Sequence, residues 1–269
     1  MNIRLVTLLG VLLARSLVSA QEKQTFVSLV ELPWRYVIGG YANGQWLNSE
    51  AAGKRLSASK MSYRVFTLTG EAGRVSAGKS APDVDVCPDV WMQKLTPEPD
   101  LEKPALGVNA PWNPMPRKAR ATDTTQEVYV NAVRDLLVSK GISRPQVKIT
   151  QVLRVDLEGD GEDEVLLSAT RYTNAAEIFV PRAGDYSFVA LRRVVAGAVR
   201  TQIVAGEFYP KANDDAASNT FEVTGLLDLD GDGTLEVVTR STYYEGSGTE
   251  VWQLQKDKLM RVLAIDCGV

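Results

Sequence analysis

Histidine is missing from the 269-residue chain, and this absence removes more chemistry than any other feature of the composition. Without imidazole there is no Ser–His–Asp or Cys–His nucleophile, no histidine general base and no histidine-ligated zinc or iron. Cysteine is nearly absent as well, with only Cys87 and Cys267. No charge of one sign dominates: 30 Lys and Arg face 33 Asp and Glu, a formal charge of −3, which lacks the basic face of a nucleic-acid binder. Beyond the extreme N-terminus no apolar run approaches the ~20 residues that span a bilayer, so no membrane span is expected in the mature chain. The apolar fraction of 45% still suffices for one large buried core or two moderate ones. Carboxylate chemistry and oxygen-ligated hard cations remain.

The N-terminus reads MNIRLVTLLGVLLARSLVSA. Arg4 precedes an apolar run from Leu5 to Ala14, Arg15 interrupts it, and Val18-Ser19-Ala20 is a small-residue cleavage site. Residues 1–20 therefore read as a signal peptide, with a mature chain starting at Gln21 and exported (secreted, periplasmic or at the cell surface). In an oxidising compartment Cys87 and Cys267 are expected to pair, tying the first half of the chain to its end; two buried free thiols are the alternative.

Three regions follow. Residues 21–95 form a β-rich unit, in which Tyr36-Val37-Ile38 and Gln45-Trp46-Leu47 flank a tight turn at Asn43-Gly44. Tyr63 to Leu68 alternates with period two. Residues 96–122 carry six prolines, which exclude a helix or a sheet interior, so this stretch is an extended connector partly packed through Trp112. Residues 123–269 open with the one prominent helix, about 124–140. A capping box at Thr124 and Glu127 starts it, Tyr129, Val133, Leu136 and Leu137 form its apolar stripe, and Gly141 ends it. From 146 onward the period changes to two. Strand-like runs at 187–191, 202–204, 249–254 and 259–263 are separated by turn signals, giving a β-meander made twice.

The two copies are anchored by an acidic loop. VLRVDLEGDGEDEVLLSA contains the first and TGLLDLDGDGTLEVVTRS the second; Asp156 and Asp228 open them 72 residues apart, with six identities in nine positions. Calcium wants six to eight oxygens at about 2.3–2.6 Å. Carboxylates at loop positions 1, 3 and 5 can converge on one point if the backbone coils tightly, which glycine at position 6 permits (Gly161, Gly233). A main-chain carbonyl at position 7 and an acid at position 9 can close the shell. Carboxylates packed this densely repel one another without a cation. The loop is not an EF-hand, because position 12 is Leu167 or Thr239 and the flanks alternate as strands.

The pattern D-x-D/E-G-D-G-x-x-E between two strands resembles the FG-GAP/VCBS repeats of integrin α-chain propellers and many exported bacterial proteins, over roughly residues 146–269. The resemblance implies propeller-blade-like units, each with a strand–calcium loop–strand hairpin. Its ligands would be Asp228, Asp230, Asp232, the Thr234 carbonyl and Glu236, and in the first copy Asp156, Glu158, Asp160, the Glu162 carbonyl and Glu164. Two Ca²⁺ sites are thus expected, the 228–236 loop being the better match because Glu158 stands where Asp is usual. Only two copies are evident, whereas a closed propeller needs at least about four.

The functional expectation is an exported, calcium-stabilised β-repeat protein without catalysis, binding a protein or carbohydrate outside the cytoplasm. Tyr243, Tyr244, Trp252 and the pair Phe208-Tyr209 are aromatics that could meet such a ligand, or pack in the core. The alternatives are a carboxylate-based or Ca²⁺-assisted enzyme acting on polysaccharide and a purely structural envelope component.

Overall fold

A computed structural model describes residues 25–58, 60–99, 104–173, 180–213 and 217–268. The signal peptide expected at 1–20, and Gln21 after it, lie outside the described residues. The chain is mainly β, with three sheets and two helices among the described residues.

The first unit comprises β1 (Phe26–Glu31), β2 (Tyr36–Ala42), β3 (Gln45–Leu47), α1 (Ser49–Leu56), β4 (Met61–Thr67), β5 (Gly70–Pro82), β6 (Trp91–Thr96) and β7 (Leu106–Val108). Pairing runs β1-β7-β4-β5-β6-β2, and β2 returns to β1, so six antiparallel strands close a ring. Closure removes the open edges that would otherwise invite further pairing. The Asn43-Gly44 turn forms as expected, with φ of 55° and 75°, both left-handed, which matches the twist of the β2–β3 hairpin. Alternation sorts the side chains: Val30, Val37, Tyr63 and Val65 enter the ring with Ala52 and Leu56 of α1, while Leu29, Ile38, Phe66 and Val108 face outward.

Two four-stranded antiparallel meanders follow. The first is β9 (Ile149–Val155), β10 (Glu164–Arg171), β11 (Asp185–Val195) and β12 (Ala198–Tyr209), with the short β8 (Arg120–Ala121) added beside β9. The second is β13 (Thr220–Leu227), β14 (Glu236–Tyr243), β15 (Gly246–Gln255) and β16 (Lys258–Gly268). In both, the acidic loop joins the first strand to the second. The connector, expected to stay out of any sheet interior, instead gives β7 to the ring, paired on both sides with β1 and β4, and β8 to the first meander; β7 falls in the proline-free stretch between Pro104 and Pro111.

The prominent helix is α2 (Glu127–Ser139), shorter at its start than expected. The capping box at Thr124 and Glu127 does not form: Gln126 is the N-cap and makes no side-chain cap bond. Asp123 instead accepts from the Thr125 amide at 2.8 Å, a local turn that competes with a Thr124 cap. Gly141, at φ 88°, ends the helix as expected, and Tyr129, Val133 and Leu137 are buried.

These parts stack in layers. Phe188 and Ala190 of β11 meet α2, while Val189 and Leu191 meet the second meander through Val223, Val237 and Leu259. The other face of that meander, with Leu227, Val238, Val251 and Ile265, packs on the outward residues of the ring. Glutamine side chains tie the two meanders where no strand pairing exists. Gln151 exchanges hydrogen bonds with the backbone of Val223 (3.1 and 3.2 Å), and Gln202 does so with Leu259 (2.8 and 2.9 Å). Cys87 and Cys267 form a disulfide with Cα atoms 5.7 Å apart, fastening the ring's β5–β6 connection to β16.

Candidate metal centre

The two acidic loops share one hydrogen-bond frame, set by their common residues. The position 1 aspartate accepts from the position 4 glycine amide (Gly159 to Asp156 at 2.6 Å, Gly231 to Asp228 at 2.7 Å). The position 5 aspartate accepts from the position 7 amide (Glu162 to Asp160 at 2.9 Å, Thr234 to Asp232 at 2.7 Å). The position 9 glutamate accepts from the position 2 amide (Leu157 to Glu164 at 2.9 Å, Leu229 to Glu236 at 2.8 Å). Gly161 and Gly233 have φ of 91° and 89°, so the position 6 glycine does supply the left-handed coil.

The carboxylates themselves differ. In the second loop Asp228, Asp230 and Glu236 each bring an oxygen to within 4.8 Å of the others. Oxygens bound to one calcium at about 2.4 Å lie at most about 4.8 Å apart, so the spacing suits that ion. Glu236 is fully buried, and its Oε1 has no hydrogen-bond partner. Burial, then the charges of Asp230 and its neighbours, raise the Glu236 carboxyl to about 9; burial and the charges of Asp232 and Asp228 raise Asp230 to about 6. Asp228 is raised too, mainly by burial. Asp232 is exposed, and Thr234 is half-buried.

In the first loop no such triad of oxygens forms among the described residues. Asp156 is occupied as a turn acceptor, taking the amides of Gly159, Asp160 and Gly161. Burial raises its carboxyl, but these amides and Arg117 outweigh burial and hold it low. Glu158 pairs with Arg193 at 2.5 Å. Asp160 and Glu162 are exposed, and Glu164 is buried with its carboxyl raised, mainly by desolvation.

Four residues outside the loops complete the centre. From the connector, Trp112 donates its indole N–H to the Asp228 carbonyl (2.9 Å), and its ring lies where a Cβ on Gly231 would be 3.0 Å away. Arg117 donates to the carbonyls of Asp156 (2.6 Å), Leu157 (2.9 Å) and Gly233 (2.6 Å), so one guanidinium holds both loops. Gln253 of β15 donates to Asp230 at 2.7 Å, and Arg193 of β11 meets Glu158. The proline-rich stretch gave no sign of Trp112 or Arg117 as loop partners. The 72-residue repeat does not point to Arg193 and Gln253, which are 60 residues apart; only the strand register of the two meanders places them alike.

Of the aromatics considered for ligand contact, Tyr209 is buried, Phe208 stacks on Phe188 (5.3 Å) and Trp252 donates to Thr239 (3.0 Å). Tyr243 and Tyr244 line a cleft of about 490 Å³ between ring and second meander, with Trp34 and Tyr36 opposite. Among the described residues, no helix is long and apolar enough to cross a membrane. Comparison with family models, curated proteins and solved structures returns no match.

Proposed function

We propose that this chain is an exported, calcium-binding β-repeat protein of the FG-GAP/VCBS kind. Its loop at 228–236 holds the ion through Asp228, Asp230, Asp232, the Thr234 carbonyl and Glu236, and it works as a non-catalytic module that binds a protein or carbohydrate outside the cytoplasm. The observation that carries the metal reading is Glu236: a fully buried carboxylate with an unpartnered oxygen, beside two further carboxylates. Leaving such an oxygen without a partner costs about 1–3 kcal/mol or more, and a bound cation removes the cost. The acids are ligands in this reading, which leaves them unsuited to proton transfer. The disulfide and the meanders with matching loops support export and the blade-like repeat.

The test is calorimetric titration of the metal-stripped mature chain with Ca²⁺ and with Mg²⁺, accompanied by Tb³⁺ luminescence excited through Trp112. Saturable Ca²⁺ binding, much weaker Mg²⁺ binding and Tb³⁺ emission displaced by Ca²⁺ are expected. Absence of Ca²⁺ binding at millimolar concentration overturns the reading.

A further inference from the structure

The register of the two meanders makes one pair of residues equivalent. Val165 of β10 pairs with Arg192 of β11, and Val237 of β14 pairs with Trp252 of β15. Val165 and Val237 each directly follow the position 9 glutamate of their loop. Arg192 therefore corresponds to Trp252, and the next residues, Arg193 and Gln253, occupy the same place in the two copies. Both reach the same loop position: Arg193 meets Glu158 at 2.5 Å and Gln253 meets Asp230 at 2.7 Å. In one copy the acid at position 3 faces a guanidinium, and in the other a neutral amide.

We propose that Arg193 is the built-in cation of the 156–164 loop, so that this loop takes up no divalent ion and the chain binds one calcium, at 228–236. The inference rests on the calcium reading of the second loop and adds what decides between the copies. The Arg193 side chain is only 10% exposed, held by Glu158 and by the Lys256 carbonyl (3.3 Å). An arginine cannot give up its proton to make room for a metal. A divalent ion entering the loop would have to expel the guanidinium or sit against it, repelled by like charge in a partly desolvated place. Gln253 offers no such charge. It orients the Asp230 carboxylate without bringing a positive charge to loop position 3, which leaves that carboxylate free to meet a cation. The longer Glu158, where the second copy has Asp230, spans the distance to Arg193, so that both departures of the first copy belong to one arrangement.

The experiment is calorimetric Ca²⁺ titration of the mature wild type, Arg193→Gln and Gln253→Arg, each first checked for folding by circular dichroism. Expected stoichiometries are one ion per chain in the wild type, two in Arg193→Gln and none in Gln253→Arg. Arg193→Gln that folds and still binds one ion, or a wild type that binds two, overturns the inference while leaving the calcium reading intact. A wild type that binds none overturns the calcium reading itself. If Arg193→Gln does not fold, Gln253→Arg decides: unchanged binding overturns the inference, and loss of binding with retained fold supports it.

Discussion

The amide of Leu235 donates to the carbonyl of Leu157 over 2.8 Å, joining the second acidic loop to the first. The Thr234 carbonyl belongs to the same planar trans peptide as that amide and so faces the opposite way, away from Leu157. The main-chain oxygen expected as a calcium ligand is thus oriented by the other copy of the repeat. Arg117 reinforces the link, because it donates to Leu157 and to Gly233 with the same nitrogen.

Replacement of Glu236 by Gln separates the metal from the fold. The amide keeps an oxygen for the Leu229 N–H and, like the neutral carboxyl that burial favours without metal, carries no charge. In chelator the variant is expected to melt at or above the wild type. Added Ca²⁺ at a hundredfold excess over Kd stabilises the wild type by about 2.7 kcal/mol and leaves the variant unchanged. Thermal melting of both proteins with chelator and with Ca²⁺ checks this.

Arg117→Ala removes three charge-assisted hydrogen bonds to carbonyls of both loops. A loss of about 3 kcal/mol in urea unfolding is expected, with weaker Ca²⁺ binding, since the Gly233–Thr234 peptide is no longer held. Arg117→Lys is expected to recover only part of both, because an ammonium cannot reproduce the fork. Equal urea midpoints for all three proteins would refute this role.

The Cys87–Cys267 bond closes a loop with a sequence separation of 180. In the chain-entropy model a loop of that size is worth about 5 kcal/mol, less any strain. The double variant Cys87→Ser with Cys267→Ser is expected to lose stability of that order in urea, with its Ca²⁺ affinity nearly intact, because neither cysteine belongs to the carboxylate cluster of the second loop.

Glu31 is buried between ring and second meander, 3.6 Å from Arg240 and 3.0 Å from the Thr249 hydroxyl. Burial raises its carboxyl, outweighing Arg240 and the hydrogen bond. The folded state therefore holds this proton more tightly than the unfolded chain does. Its contribution to stability is full below the ordinary glutamate value of 4.5 and declines as the pH rises through the shifted value. Glu31→Gln removes that decline, so its melting temperature should fall less than the wild type's between about pH 5 and pH 8 in chelator. Parallel pH profiles would refute it.

Much of the fold was legible because it is written in short-range patterns. The 72-residue repeat set two equivalent hairpins, period two marked the strands of both meanders, and Asn43-Gly44 marked a turn that only residues tolerant of positive φ adopt. Helix α1 escaped because it is short and its contact point is Gly53, where a Cβ would stand 2.4 Å from the Trp91 ring; glycine here serves packing and depresses the helical signal. The missing capping box shows the same limit at α2, where the Asp123–Thr125 turn took the place of the cap.

Composition and local spacing set the inventory: no histidine, two acidic loops in one frame, and two cysteines, one in the first half and one near the end. Which carboxylates meet depends on how the strands and the connector pack around the loops. Local spacing places the position 1, 3, 5 and 9 acids alike in both loops, whereas their charge balance depends on side chains delivered from a neighbouring strand and from the connector. Arg193 and Gln253 lie well outside the loops in sequence, and Trp112 and Arg117 lie in a proline-rich stretch with no periodicity to read. Electrostatic compensation is a property of distance in space, so the shared frame meets a guanidinium at position 3 in one copy and a neutral amide there in the other.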